Sequence, residues 1–448
     1  MSRSVRTILL TFAILVFLGT GAYLVILGNG LVWDKTTLSF VKTGGIFLSA
    51  EPWGATIYLN GEPYPDTTSF LSRGILIQNL TPKTYAVRLE KEGFFPWEKT
   101  LTVIPGEVAS AHDVRLWSQN PDASVVAAGV EDFWITKQGL LYKTTTGTLE
   151  FEKRPIRGTT VFFSSPNSNL VVTKDRSSLF LTDLLNSESI TNLSSLFSSL
   201  LHRQHPTASA DIISIFPHPT NTSRILIYTT SGLYSMEPER VELSQLLPLG
   251  PQSFFSMRDR SAHAFDTNGH LRSFYFSFGT SASTTPTLPF PTSSINQILS
   301  SEDGEMIVFE TDKAAYLYDQ SDGTFFITEK PRATQRIFSP ENKRMFSFFS
   351  NNKWSVTYTD DYEHDALFEK GVHETGMFAY QIGTSTEFAW LPYRNALLAI
   401  NRNNVIGIDT DMRLPSNTRL LIEDAKRIAW DDGLFVLKQN GEVWKIEY

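Results

Sequence analysis

The chain has 448 residues, 41% of them hydrophobic and 12% aromatic, with a formal net charge of −8 and no cysteine. That length implies two or more domains or one large repeat architecture, and the apolar content is that of a folded chain. The acidic balance, with both signs interspersed, argues against nucleic acid as a main partner, and the lack of cysteine excludes disulfide frameworks, thiolate metal sites, cysteine nucleophiles and lipid attachment at an N-terminal Cys.

Residues 8–27, ILLTFAILVFLGTGAYLVIL, carry neither charge nor proline. At ~1.5 Å per residue such a helix spans ~30 Å, the thickness of a bilayer core, so a single transmembrane helix is expected. Arg3 and Arg6 precede it, whereas the far flank offers only Lys35 balanced by Asp34. The positive-inside rule then makes residues 1–7 a cytoplasmic tail, too short for a signalling domain, and sets everything after about Gly28 outside the cytoplasmic membrane. A cleaved signal peptide is the competing reading, because Gly19-Thr20-Gly21-Ala22 follows a shorter apolar core of Ile8 to Leu18. Against it, Tyr23 to Leu27 extends the run to spanning length. Either way the bulk of the chain is exported.

Residues 28–43 read as a linker. From Gly44 the apolar pattern has period two, with Ile46, Leu48 and Ala50, then Ile57 and Leu59, then Tyr85, Val87 and Leu89, then Leu101 and Val103. Short strands with no helical stretch between them predict a small β-sandwich or open barrel over residues 44–118. Pro52 cannot donate to a ladder and Gly54 tolerates positive φ, so Pro52-Trp53-Gly54-Ala55 should break one strand and re-aim the chain. Asn60-Gly61 should turn a hairpin.

These residues also carry a resemblance. Pro52-Trp53-Gly54-Ala55 with Thr56-Ile57-Tyr58-Leu59-Asn60-Gly61, then Leu80-Thr81-Pro82-Lys83-Thr84-Tyr85, then Lys91-Glu92-Gly93-Phe94-Phe95-Pro96-Trp97 and Pro105-Gly106-Glu107 together resemble the PEGA domain. That family is named for its Pro-Glu-Gly-Ala motif. This chain has Trp53 where the motif has Glu, Lys83 where Gly is usual, and Asp66-Thr67-Thr68-Ser69 in place of a Gly-x-Thr-Pro element. The resemblance implies an extracytoplasmic β module of bacterial and archaeal surface proteins, a binding or spacer unit without catalysis. Trp53, Phe94, Phe95 and Trp97 gather at its turns. Exposed, they would suit stacking on sugar or peptide; covered, they would form an interface with the rest of the chain or with lipid.

Beyond Trp117 a large residue recurs just before a turn, with a new apolar strand about seven positions later. The copies are Phe163 then Leu170, Leu299 then Met306, Phe338 then Met345 and Trp390 then Leu397, with weaker ones at Phe216, Phe255 and Trp430. Successive anchors lie 39 to 53 residues apart. A period near 40 built from short strands predicts a β-propeller over residues 119–448. A divergent first copy around Ala128 gives eight segments; the last is one strand short and could borrow it from residues just before Ala123. Sharing of one blade by the first and last segments would give seven. The Ser-Pro-Glu-Asn and Ser-Glu-Asp-Gly turns are similar to those of WD40-like repeats of bacterial envelope proteins, which bears on fold alone.

Candidate chemistry is sparse. His202 and His205 are spaced i, i+3 in what reads as a surface insertion, without an acidic third ligand. Asp360-Asp361-Tyr362-Glu363-His364-Asp365 lacks the register of a known calcium loop. Asp319-Gln320-Ser321-Asp322-Gly323 reads as a strand-connecting turn. No Gly-x-Ser-x-Gly, His-Glu-x-x-His or phosphate-cradling loop occurs. No catalytic residue, metal or other cofactor is therefore expected.

Together these readings predict an all-β protein behind one N-terminal transmembrane helix. Its expected role is that of a non-catalytic extracytoplasmic binding or scaffold protein of the bacterial cell envelope, recognising cell-wall glycan or another surface protein. The alternative is an exported propeller enzyme, a glycan hydrolase or lyase. Paired carboxylates or a histidine converging on the central channel would mark the enzyme; Ser, Thr and small apolar residues there would mark the scaffold.

Overall fold

The computed structural model describes residues 3–447 apart from positions 29, 35–37, 68–73, 166–167, 251–252, 259, 302–303, 329–334, 339–344, 351–352, 359–379, 382–384, 392–395, 410, 412 and 416. Arg3–Gly28 form one helix, α1, of 26 residues. Leu9, Leu10, Phe12, Leu15, Phe17 and Leu24 are exposed along it. Among the described residues no helix is long and apolar enough to cross a membrane.

Residues 28–43 were expected to be a plain linker, but they hold a two-stranded hairpin of β1 (Leu31–Asp34) and β2 (Ser39–Lys42). Val32 pairs with Val41 and Trp33 with Phe40, so short apolar alternations on both sides of a polar turn suffice for a ladder.

The small module follows as two sheets. Its strands are β3 (Gly44–Glu51), β4 (Thr56–Leu59), β5 (Glu62–Thr67), β6 (Ile75–Leu80), β7 (Thr84–Glu90), β8 (Trp97–Thr102) and β9 (Val108–Arg115). One sheet has the order β6-β3-β9, the other β5-β4-β7-β8, and the first and last strands, β3 and β9, run parallel. The period-two positions Ile46, Leu48, Ile57, Val87, Leu89 and Leu101 are buried and fill the space between the sheets. At the hairpin tip Asn60 and Gly61 adopt φ of 53° and 86°, the left-handed pair that a two-residue turn requires. The Asn60 side chain adds a bond by accepting from the Ala86 amide at 2.9 Å.

From β10 (Asp122–Ala127) onward the strands build eight four-stranded antiparallel sheets. Seven use consecutive strands, spanning residues 130–156, 160–192, 212–248, 254–284, 295–328, 335–381 and 385–422 in turn. The eighth contains Ala425–Asp431, Gly433–Lys438 and Val443–Glu447, and β10 completes it by pairing with the last of these. The borrowed strand expected just before Ala123 thus runs across it. First strands touch between the second and third, the fourth and fifth, and the seventh and eighth sheets, and Val130–Thr136 of the first sheet meets Ala425–Asp431 of the eighth, an arrangement consistent with a propeller-like ring. Every anchor named above, from Phe163 to Trp430, lies in a first strand. A bulge recurs in these strands, as at Val130/Asp132, Val161/Phe163, Ile295/Gln297 and Ala425/Arg427. Such bulges bend a strand and increase its twist.

The insertion around His202 lies on the surface, as expected, with Ser199, His202 and Arg203 exposed, but its other face is buried. Leu193–Gln204 form a helix, α2, capped by the Asn192 side chain, which accepts from the Ser195 amide at 3.0 Å. Leu193, Phe197, Leu200 and Leu201 recur at helical spacing and pack with Phe163, Tyr234 and Met236 of the second and third sheets.

Candidate functional site

The most heavily built polar constellation lies where β8, the edge strand of the small module, meets the seventh sheet of the ring. Alternation along β8 turns Trp97, Lys99 and Leu101 to one side, and all three are buried. The Lys99 ammonium, on a side chain only 1% exposed, donates to the carbonyls of Asp411 at 2.7 Å and Arg413 at 2.8 Å and lies 3.4 Å from Asp409 Oδ2. The Trp97 indole donates to the same Asp409 oxygen at 2.6 Å. Backbone contacts extend the seam: the Thr100 amide donates to Leu414 O at 2.7 Å, Asn417 Nδ2 to Glu98 O at 2.9 Å, Arg419 to Pro96 O at 3.0 Å and Arg413 to Ser110 O at 2.8 Å. An edge strand that would otherwise invite pairing is thereby covered.

Burial pushes the Asp409 carboxyl above its ordinary 3.8; Asp411 adds to the rise, and Lys99, the Asp411 amide and the Trp97 indole oppose it. Desolvation outweighs attraction here, the usual balance for an enclosed ion pair. The seam accordingly selects one docking register more than it adds stability.

The connector after β9 is equally fixed. The Phe95 amide donates to Trp117 O at 2.8 Å and the Gln119 amide to Gly93 O at 2.8 Å. Trp117 itself lies in the core of the seventh and eighth sheets, flat against Gly407, where an added Cβ would stand 2.6 Å from two indole carbons. Gly407→Ala is therefore expected to lower stability by about 1–3 kcal/mol through overpacking, measured as a shifted denaturant midpoint with an unchanged slope.

This geometry divides the four aromatic residues expected to be exposed. Trp97 is 2% exposed and Phe95 packs against the ring core beneath Arg419, so both are interface residues, because β8 and the turn before it face the seventh sheet. Trp53 is 56% exposed. Lys91 lies between Trp53 and Phe94, its ammonium 5.6 Å and 5.7 Å from the two ring centroids and 2.5 Å from Trp53 O. Phe94 is half-buried against the module's own core and bridges to Ser118 of the connector, so Trp53 is the exposed member of an aromatic-cation patch with Lys91 and Phe94.

A second charged group joins the first strands of the first, seventh and eighth sheets. Arg427 of the eighth sheet pairs with Asp132 of the first and stands 3.7 Å from Glu387 Oε1 of the seventh. Glu387 Oε2 also accepts the Ile428 amide at 2.8 Å, and the guanidinium lies 5.5 Å from the Phe133 and Trp134 centroids. Burial pushes Glu387 above its ordinary 4.5, with the Asp132 charge adding and the Ile428 amide and Arg427 opposing. A carboxyl raised in the fold contributes stability that is fully present below pH ~4.5 and is lost as pH rises through its folded value. Raising the pH from about 4 to about 7 should therefore cost the parent chain stability relative to Glu387→Gln, a difference read by paired thermal unfolding.

Other expected features are structural. His202 Nδ1 is 2.8 Å from Ser198 O one turn earlier, and His205 caps α2; among the described residues no group of three or more metal-ligating side chains forms. Asp319 and Asp322 accept from Ser321, and from Thr324, in a turn with Gly323 at φ 74°. The acidic stretch from Asp360 to Asp365 lies outside the described residues. His263, which sequence reasoning passed over, is fully buried between Ser261 and Ser273, at 2.8 Å from each hydroxyl. With Ser261 equally buried, this is a satisfied core network without access for a substrate.

Comparison with known proteins matches residues 43–115 to the PEGA domain. No curated protein sequence matches the chain. Among solved structures, Hsv2p of Kluyveromyces lactis is similar with a TM-score of 0.43 and 10% identity, over 65% of this chain and 97% of that one. PorZ, described as an essential bacterial surface component of the type-IX secretion system of Porphyromonas gingivalis, has a TM-score of 0.38 and 12% identity, over 70% of this chain and 42% of its own. Likeness at this level carries no argument about function.

Proposed function

We propose that this chain is a non-catalytic, membrane-anchored scaffold of the bacterial cell envelope. In this reading α1 spans the cytoplasmic membrane with its N-terminus inside, and the module and the ring stand outside as one body that recognises cell-wall glycan or another surface protein. The apolar side chains exposed along α1 support the anchor, because such a surface is costly in water and favourable in lipid. The observation that carries the proposal is the seam between β8 and the seventh sheet. A spacer module riding freely on a linker would need none of the enclosed contacts of Trp97 and Lys99 with Asp409. A module locked to the ring holds the Trp53, Lys91 and Phe94 patch in a fixed direction. The glycan-cleaving alternative calls for two carboxylates free to act as acid and base, whereas Asp132 and Glu387 already share Arg427.

The test is retention by purified cell wall and by detergent-treated envelope, using the full chain in detergent as bait. The expected result is retention of wall glycan or of a discrete protein, weakened in the Trp53→Ala/Phe94→Ala variant. Release of soluble wall fragments on incubation would overturn the scaffold reading in favour of an enzyme.

A further inference from the structure

The hairpin of β1 and β2 is a sheet of two strands standing apart from both sheets of the module. A two-stranded hairpin is marginal by itself in water, and this one turns its bulkiest side chains outward. Trp33 and Phe40 are directly paired, so they share a face, and their rings meet edge to face with centroids 5.1 Å apart. They are 49% and 52% exposed, and Leu38 at the turn is 71% exposed.

The position of the hairpin identifies what covers that face. Leu31 follows the last residue of α1, Gly28, by three positions, which limits their separation to ~10 Å. The layer of headgroups beyond the bilayer core is itself ~5–8 Å deep on each side. A hairpin tied this closely to an apolar helix starts within that layer or at its outer edge, and α1 touches β1 directly. At its base the hairpin is fastened to the module as well. The Thr43 amide and hydroxyl both donate to Gly30 O, at 2.7 Å and 2.9 Å, and the Gly106 amide donates to Thr43 O at 2.8 Å.

We propose that the hairpin is an interfacial foot, with Trp33, Leu38 and Phe40 seated among the lipid headgroups of the outer leaflet. The inference rests on the reading of α1 as a membrane span and names a second lipid contact beyond it. Tryptophan favours this layer because its ring is apolar and its N–H can still reach water or a headgroup. Two contacts with the bilayer, the helix and the foot, would fix the tilt of the module, where a helix alone leaves it free.

The absence of cysteine makes the test direct. Single variants Phe40→Cys, Leu38→Cys and, on an exposed turn of the fourth sheet, Asn268→Cys would carry an environment-sensitive fluorophore. The full chain would be reconstituted into phosphatidylethanolamine and phosphatidylglycerol vesicles containing a nitroxide-bearing lipid, with flotation recorded in parallel. The expected result is flotation, with a blue shift and loss of emission at positions 40 and 38 and no change at 268. Two hairpin positions are used so that a local disturbance by either substitution does not decide the outcome. Flotation with positions 38 and 40 quenched only by aqueous iodide, or shielded from iodide and lipid alike, would overturn the foot and leave the anchor standing. Absence of flotation would overturn both.

Discussion

Replacing Lys99 by Met is expected to destabilise the protein by about 3–5 kcal/mol, as removal of one partner of an enclosed ion pair does. Met matches the stem of the lysine, so the loss does not come from a cavity. It comes from Asp409 and from the carbonyls of Asp411 and Arg413, which lose the ammonium that faces them at 3.4 Å, 2.7 Å and 2.8 Å. The Trp97 indole and Asn417 Nδ2 would remain on Asp409 Oδ2 and the Asp411 amide on Oδ1, so the carboxylate would keep neutral donors while its charge went unbalanced. Lys99→Met/Asp409→Leu should recover much of that loss, because replacing both members of such a pair by apolar side chains is often neutral or stabilising. Denaturant unfolding of the four members of this cycle, in detergent, gives the coupling. Independent, additive losses would mean that the two groups do not meet, and the seam would have to be redrawn.

Val443→Asp should have an effect of similar size at the closure of the ring. Val443 pairs with Ala127 of β10 on one side and Leu437 on the other, and it is fully buried with Val130, Phe133 and Leu437. A carboxylate there would be enclosed by apolar side chains, and the cost is about 3–5 kcal/mol for a buried charge without a hydrogen-bonded partner. Val125→Asp makes the same chemical change in β10 at an exposed position opposite Trp444, and should alter stability by less than about 0.5 kcal/mol. Circular dichroism with thermal unfolding distinguishes the pair. Equal effects at the two positions would contradict a ring closed by β10.

The ring was legible because its repeat is a packing rule. A large residue lies in most first strands, commonly near the end, and the next strand usually starts six to nine residues on, so anchors as different as Phe163 and Trp390 align from sequence. The module was legible for two reasons: period-two burial along β3, β4 and β7, and the Asn60-Gly61 turn. The seam was not, although its signal was present. Lys99 occupies an inward position of β8 between Trp97 and Leu101, and a charge at such a position must have a partner. That partner is more than 300 residues away in the chain, and no local pattern could point to Asp409. Separation along the chain also hid the meeting of Asp132 with Arg427, 295 residues further on. The Ser-rich polar face of α2 is exposed as the surface reading expects, and its buried face is visible in the spacing of Leu193, Phe197, Leu200 and Leu201. Of the four aromatic residues, β8 and the turn before it decided the fate of Phe95 and Trp97, and only docking to the ring separates them from Trp53.

The measurement that bears most directly on the account is the distance between module and ring in the intact chain. Spin labels at Glu62→Cys, beside the module's hairpin turn, and Asn268→Cys, on the fourth sheet, can be introduced without removing any native cysteine. A dipolar distance measurement on the doubly labelled protein in detergent is expected to give one narrow distribution, broadened in the Lys99→Met variant. A broad distribution in the parent chain, unaltered by that substitution, would mean that the module swings on its connector and that the two do not act as a single body.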